Sequence, residues 1–276
     1  MRLVCSFFIA CVLSGCSMVR FTYENADVYL RWRIESYFDL QGALADDLDE
    51  RVSGFIAWHR AKALPQYAKL FDEAGQRFAR GLQPADLDWG YDAMRAQAKE
   101  SLREGAERLA PLLDRLSPRE IAHFERRLEE DNRKFARENL RGSERERRKR
   151  RTERNVERLE DWVGTLTQGQ AERVALYSAR APLLDEFRER DHKRLQAELL
   201  AVLRAREARK RLPELAVDWE RTRDPAYAAA LDASRREYIA MALDIERSLS
   251  TQQRARALER LARFAEEFRA LARANP

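Results

Sequence analysis

Apolar residues recur along this chain at the three- and four-residue spacing of α-helices. The C-terminal segment shows the pattern most plainly, with Arg and Glu on the remaining faces of one apolar stripe: Leu258, Leu261, Phe264, Phe268 and Leu271. Such a stripe is typical of an amphipathic helix packed on one side, and no stretch alternates like a strand. The pattern predicts an all-α protein, an elongated multi-helix bundle of about ten amphipathic helices with no sheet.

Prolines indicate where several helices begin, because proline costs little in the first helical turn and much inside a helix. The prolines used in this way are Pro84, Pro118, Pro182, Pro213 and Pro225. The predicted helices span residues 22–38, 41–62, 65–80, 84–115, 118–140, 143–165, 168–180, 182–211, 225–248 and 251–273.

Three of these starts carry the same short pattern, in "LSPRE" at Leu116, "LTQGQ" at Leu166 and "LSTQQ" at Leu249. Each predicts a capping box, in which Ser or Thr accepts from the N–H three residues on and Glu or Gln reaches back. The paired side chains are Ser117 with Glu120, Thr167 with Gln170, and Ser250 with Gln253. "LQPAD" and "LQGAL" are weaker relatives, and the spacing is too irregular for a solenoid. An alternative interpretation is that such elements also mark small helical periplasmic stress chaperones.

The N-terminus has the organisation of a bacterial export signal. Arg2 precedes an apolar run over residues 3–13, which is too short to span a bilayer, and "LSGC" ends at Cys16. This tetrapeptide resembles the lipobox of bacterial lipoproteins, whose cysteine is acylated and becomes the new N-terminus. The resemblance predicts a signal peptide over residues 1–15 and a lipidated short tether over 16–21. Ser17, rather than Asp, after the cysteine favours the outer membrane; an ordinary signal peptide that leaves the protein free is the alternative.

All three cysteines, Cys5, Cys11 and Cys16, lie at or before the predicted cleavage site. The mature chain would therefore have no disulfide, no cysteine nucleophile and no thiolate metal site. Residues 22–276 are long enough to form one helical domain around its own core, with a subdivision near 141–155 as an alternative.

The sequence "RGSERERRKRRTER" at residues 141–154 holds eight basic and three acidic residues. In the helix predicted over 143–165, the positions that continue its apolar stripe toward the N-terminus carry only polar side chains. The first three turns of this helix are therefore expected to project into solvent or fray. The run is a candidate anion-binding arm for lipopolysaccharide phosphates, anionic phospholipids or an acidic protein, and the export signal argues against nucleic acid. The candidate residues are Arg145, Arg147, Arg148, Lys149, Arg150 and Arg151. A solvated helix with internal Glu–Arg pairs is the alternative.

Nothing in the sequence has the spacing of a catalytic or metal site. The three histidines are not spaced as ligands on one helix: His59 is predicted to face the core, His123 to be solvated and His192 to flank apolar residues. Carboxylates are abundant, but a general acid needs a pocket that shifts its pKa. We therefore expect no enzymatic activity, no metal, no cofactor and no small-molecule substrate.

Two aromatic-rich segments follow the predicted tether, "YENADVYLRWRIESYFDL" at 23–40 and "FIAWHRAKALPQYAKL" at 55–70. Together with the lipobox they resemble an uncharacterised family of Gram-negative lipoproteins with the motifs Y-x-x-A-D, Y-F-D-L and W-H-R-x-x-x-L-P-x-Y. "LQGAL" departs from the fuller capping box of that family. The resemblance implies a helical envelope protein without an assigned activity. Its motifs single out candidate partner-binding residues, for which the alternative is a core that docks the first helix onto the second and third. They are Asn25, Asp27, Trp32, Tyr37, Phe38, Asp39, Trp58, His59, Arg60 and Tyr67, together with Pro65.

These observations favour a lipid-anchored periplasmic interaction protein, either a scaffold or a chaperone-like binder. Its expected partners are the membrane, through the N-terminal lipid, and an envelope protein. It is expected to face the periplasm from the outer membrane. The alternative is a binder of anionic envelope components through residues 141–154.

Overall fold

The structure is a computed structural model and describes residues 16–274, with side chains from residue 20 onward. The predicted signal peptide, with Cys5 and Cys11, lies outside the described residues. Helices and short turns make up all of the described chain, and it contains no strand, which confirms the all-α prediction. The helices are α1 Cys16–Glu24, α2 Ala26–Phe38, α3 Ala43–Trp58, α4 Leu64–Ala79, α5 Pro84–Leu113, α6 Pro118–Asn139, α7 Glu144–Val163, α8 Gln168–Arg180, α9 Asp185–Ala205, α10 Ala208–Val217, α11 Pro225–Ser248 and α12 Thr251–Arg273.

The first helix begins earlier than the apolar pattern predicts. Residues 16–21, expected to form a tether, belong to α1, and Asn25 separates α1 from α2. The interruption is one residue long, and Asn25, with φ −106° and ψ 12°, departs only moderately from the helical backbone. The helix predicted over 22–38 is therefore a pair of nearly continuous helices that reaches residue 16.

A π-helical turn at His59–Ala63 joins α3 to α4. Pro65 has no N–H to offer in a regular α-helix. The chain adapts by widening one turn, so that the N–H of Leu64 donates to the carbonyl of His59. Such a turn keeps the helix continuous past a proline, and it aims His59 into the interior.

The prediction of one helix over 182–211 is wrong, because the structure has two helices there, α9 and α10. Arg206 adopts a left-handed conformation (φ 55°), and the N–H of Glu207 donates back to the carbonyl of Val202, which ends α9. Pro213 does not begin a helix as predicted but lies inside α10. The helix starting at Ala208 is instead capped from a distance, as Asp114 accepts from its N–H at 2.6 Å.

The predicted capping boxes are present at Ser117, Thr167 and Ser250, and the weaker relative at Gln83 is also a box. "LQGAL" is not, since the N-cap of α3 is Gly42. The sequence reasoning missed a fifth box, at Ser143.

The helices pack around three apolar clusters. The first lies between α2, α3, α5, α6, α9 and α10 and includes Leu48, Leu112 and Leu203. The second joins α1, α4 and α12 around Tyr67, and the third joins α7, α8 and α11 around Val174. The apolar stripe predicted for α12 contributes Leu271, Phe264 and Phe268 to the second cluster. Space remains where the three clusters meet.

Candidate binding cavity

A cavity of about 1200 Å³ lies between the three clusters and is partly open to solvent. Helices from every cluster form its wall, and most of the side chains that line it are apolar or aromatic. They include Leu30, Val52, Phe55, Leu102, Leu159, Leu199, Leu215, Met241, Phe264 and Phe268. Small-molecule sites usually occupy about 300–1,000 Å³. The cavity is therefore large enough for a long apolar ligand.

Large apolar side chains remain accessible on the cavity wall. Tyr29, Met94 and Tyr238 keep 41%, 37% and 47% of their surface accessible, and all three line the cavity. Desolvation by the surrounding protein nevertheless raises the pKa of Tyr238. Accessibility and desolvation occur together here because Tyr238 faces an enclosed space rather than the outer surface.

One wall of the cavity carries polar groups that are hydrogen-bonded to one another. Tyr37 donates to Asp131 and accepts from Arg33 at 2.7 Å. Beside them, the amides of Asn132 and Gln196 exchange hydrogen bonds of 2.7 and 3.1 Å. An apolar ligand that covers these groups would break none of the hydrogen bonds between them.

His59 also lines the cavity, and it is buried as predicted. Its Nδ1 lies 3.1 Å from the hydroxyl of Tyr23, and the rings of Phe55 and Tyr67 pack around it. Burial lowers the pKa of His59 to about 4. The imidazole is therefore neutral at pH 7 and joins α1 to the π turn.

The candidate partner-binding residues divide into two groups. Tyr37, Phe38, His59 and Tyr67 are buried and belong to the core or the cavity wall, and Trp58 packs against the second cluster.

The remaining candidates lie at or near the surface. Asp27 pairs with Arg31 and Asp39 with Arg119, each at 2.6 Å. Arg60 donates to the carbonyl of Ala274 at 2.9 Å. Asn25 and Trp32 are exposed. The structure therefore does not gather the ten candidates into one site.

The start of α7 does not project or fray as expected. Arg148 donates to the carbonyls of Ser178, Ala179 and Ala181, which end α8. Arg151 donates to Ala181 and Pro182, each at 2.7 Å. The expectation was wrong because it counted apolar side chains alone, whereas guanidinium groups here satisfy the carbonyls at a helix C-terminus.

The other members of the basic run are engaged to different degrees. Arg147 pairs with Glu186 at 3.1 Å, and Arg150 donates to the carbonyl of Arg141 at 2.6 Å. Arg145 and Lys149 are exposed, and Lys149 has only a distant ion pair at 3.9 Å. The six candidates therefore do not form one free cationic surface.

The other two histidines are placed partly as predicted. His192 lines the cavity and meets the ring of Phe135 edge-on. His123 was expected to be solvated, but it is half-buried, with Nε2 3.3 Å from the carbonyl of Ser36.

Neither a metal centre nor a membrane span is found between residues 16 and 274. In that range no three His, Cys, Asp or Glu side chains are grouped so that they could hold a metal ion. No helix in it combines the length and apolar character needed to cross a bilayer.

Comparison with known proteins gives a family but no function. No curated protein and no solved structure matches the chain. The sequence matches a family of unknown function over residues 36–228, which include the end of the first aromatic-rich segment, the whole of the second, most of the cavity wall and the basic run. The chain therefore belongs to the family of unknown function DUF6279.

Proposed function

We propose that this protein is a lipid-anchored envelope protein that binds an apolar segment of a client protein in its central cavity. The observation that carries the proposal is the cavity itself, about 1200 Å³ in volume with mostly apolar and aromatic walls. An interaction of this kind needs no catalytic group. The protein acts as a scaffold or as a chaperone-like binder.

The character of the wall supports an apolar polypeptide as the ligand. Burying apolar surface contributes about 25 cal/mol per Å², and accessible side chains such as Met94 and Tyr238 would lose water on binding. Tyr37 is hydrogen-bonded to Arg33 and Asn132 to Gln196, so an apolar ligand can cover these side chains without breaking the bonds between them.

The anchor rests on the lipobox that ends at Cys16. Acylation there would hold the protein firmly, because several acyl chains bind a bilayer far more strongly than one. We place this anchor in the outer membrane, with the protein facing the periplasm. Incorporation of labelled palmitate and membrane fractionation test this part. We expect Cys16→Ser to abolish labelling and release the protein, and retention of label would refute acylation at this residue.

The binding test uses the chain from residue 16 onward with Cys16→Ser, and the reduced insulin B chain as an apolar client. Light scattering reports how much protein is needed to suppress client aggregation. Met94→Glu places a charge in the cavity and should raise that amount about tenfold, since an apolar ligand cannot solvate it.

A matched control is available on α8. Leu176 is as exposed as Met94, at 37%, but does not line the cavity, so Leu176→Glu should leave suppression unchanged. A second pair compares Tyr238→Ala with Tyr91→Ala on the outer surface. Equal effects within each pair would show that the client does not use the cavity.

The alternative proposal, a binder of anionic envelope components, would rest on the exposed Arg145 and Lys149. Charge reversal of these two residues tests it without removing the arginines that cap α8. Unchanged binding to lipopolysaccharide would count against that alternative.

A further inference from the structure

Three apolar side chains stand exposed on α1 and α2, outside the cavity wall. Phe21, Val28 and Trp32 keep 65%, 57% and 57% of their surface accessible. We call them the outer stripe. None of them belongs to the three apolar clusters, so the outer stripe does not help to hold the described part of the fold together.

The outer stripe follows one face of a nearly continuous helix. Its members are seven and four residues apart, close to two turns and one turn. The opposite face carries Tyr23, Leu30 and Ile34, which line the cavity. One helical pair is thus apolar on two faces, with one face turned to the protein and the other to the exterior.

The area of the outer stripe is small for a protein partner. Two aromatic side chains and a valine offer less than about 600 Å², since a buried aromatic contributes about 150–250 Å². A specific protein interface needs about 800 Å² from each partner. The outer stripe alone is therefore too small for a stable dimer or complex.

A bilayer surface fits the outer stripe better. Phe and Trp are side chains of amphipathic helices that lie in the membrane interface. The neighbouring charges compensate each other, since Arg20 pairs with Glu24 at 2.8 Å and Arg31 with Asp27 at 2.6 Å. The surface therefore needs no strongly anionic lipid.

The position of Cys16 adds a second argument. Helix α1 begins at Cys16, and Phe21 follows after five residues, about 8 Å along the axis. An acyl group on Cys16 would hold the outer stripe beside the bilayer at a high effective concentration. When the acyl group already holds the protein at the membrane, three apolar side chains suffice to keep α1 and α2 against the bilayer surface.

We propose that α1 and α2 lie along the surface of the anchoring membrane, with Phe21, Val28 and Trp32 inserted into its interface. The inference rests on the proposed acylation of Cys16. The outer stripe fixes the orientation of the protein on the membrane, whereas the acyl chains only retain it there.

The test uses the full acylated protein in phosphatidylcholine vesicles whose acyl chains carry bromine, which quenches nearby tryptophan. Wild-type fluorescence should fall relative to unbrominated vesicles, and Trp32→Phe should remove most of that fall. Trp89→Phe, on α5, is the matched control and should keep it. Equal quenching in the two variants would overturn the proposal.

A second measurement uses the acylated protein bound to the same vesicles. Replacing Phe21, Val28 and Trp32 with Ser should speed hydrogen exchange of the amides of α1 and α2 about tenfold or more, because serine side chains do not insert into the membrane interface. Unchanged exchange would contradict the proposal. Sedimentation of a dimer that the triple variant abolishes would assign the outer stripe to a second copy instead.

Mass measurement of the N-terminal peptide separates the two proposals. An acylated Cys16 with an unquenched Trp32 refutes the outer stripe and leaves the anchor intact. An unmodified Cys16 refutes the lipid anchor, and it also refutes the membrane orientation that we infer from that anchor.

Discussion

Gln170 and Gln253 exchange hydrogen bonds across the interface of α8 and α12. Nε2 of Gln170 lies 3.1 Å from Oε1 of Gln253, and the return bond is 3.0 Å. Each oxygen also accepts from the N–H of its own cap, Thr167 at 3.0 Å and Ser250 at 3.1 Å. Two capping boxes are thereby joined into one buried unit.

This unit explains why these two boxes use Gln rather than Glu. Nε2 of Gln170 also donates to the carbonyl of Ser248 at 3.2 Å, whereas a carboxylate could only accept. Gln170→Glu should therefore bury an unpaired charge and lower the free energy of unfolding by about 3 kcal/mol. Urea unfolding measures the change.

The exposed box at Ser143 provides the control. Glu146 accepts from the N–H of Ser143 at 2.7 Å without contacting a second box. Glu146→Gln keeps an acceptor there and loses only the charge that the hydrogen bonds from Ser143 favour, so it should lower the urea midpoint only slightly. Similar losses in both variants would show that the exchange between Gln170 and Gln253 is not the cause.

The arginines at the start of α7 are expected to stabilise the fold. Burial lowers the pKa of Arg151, yet its guanidinium satisfies the carbonyls of Ala181 and Pro182. Arg151→Met leaves the carbonyl of Pro182 without this donor and the carbonyl of Ala181 with Arg148 alone, and it should lower the free energy of unfolding by about 2 kcal/mol. Arg145→Met, one turn and a half earlier on the exposed face, should have no effect on thermal unfolding. The opposite order would contradict the capping role.

Stability should depend on pH through His59. Its pKa is about 4 in the folded protein and ordinarily about 6.5, so the unfolded chain binds the proton more readily between these values. The stabilisation is complete above about pH 6.5 and is lost progressively as the pH falls toward 4, by up to about 3 kcal/mol. His59→Phe should flatten this dependence in urea titrations, whereas His123→Gln should not. An unchanged slope in His59→Phe would refute the assignment.

Asp114 should control the docking of α10. Its two oxygens accept from the N–H groups of Ala208 and Arg209, at 2.6 and 3.2 Å. Asp114→Ala removes an N-cap supplied by another helix and should cost about 1–2 kcal/mol. Hydrogen exchange should accelerate in α10, including at Leu215. Asp232→Ala, on an exposed face of α11, is the control that should leave exchange unaltered.

The sequence predicted the features that depend on neighbours in the chain. The boxes at Ser117, Thr167 and Ser250 and the stripe of α12 are local patterns, and all are present. The burial of His59 also followed from helical spacing.

The features that sequence reasoning missed depend on distant contacts. Helix α9 ends at Arg206, which is left-handed although it is not a glycine, so the sequence shows no glycine that would predict this end. The hydrogen bonds from Arg148 to the end of α8 join residues some thirty positions apart. The cavity lies between three apolar clusters whose helices are far apart in the chain. The spacing of apolar residues within one helix therefore cannot predict it.

The start of α1 at Cys16 sets a distance as well as a boundary. Tyr23, seven residues later, already lines the cavity, about 10 Å along the helix from Cys16. If Cys16 is acylated, no flexible linker separates the acyl group from the helix that lines the cavity, and the protein would stay close to the membrane. The part of the cavity wall that Tyr23 forms would then lie within about 10 Å of the acylated residue along the helix, so a client segment that contacts this wall would bind close to the bilayer surface.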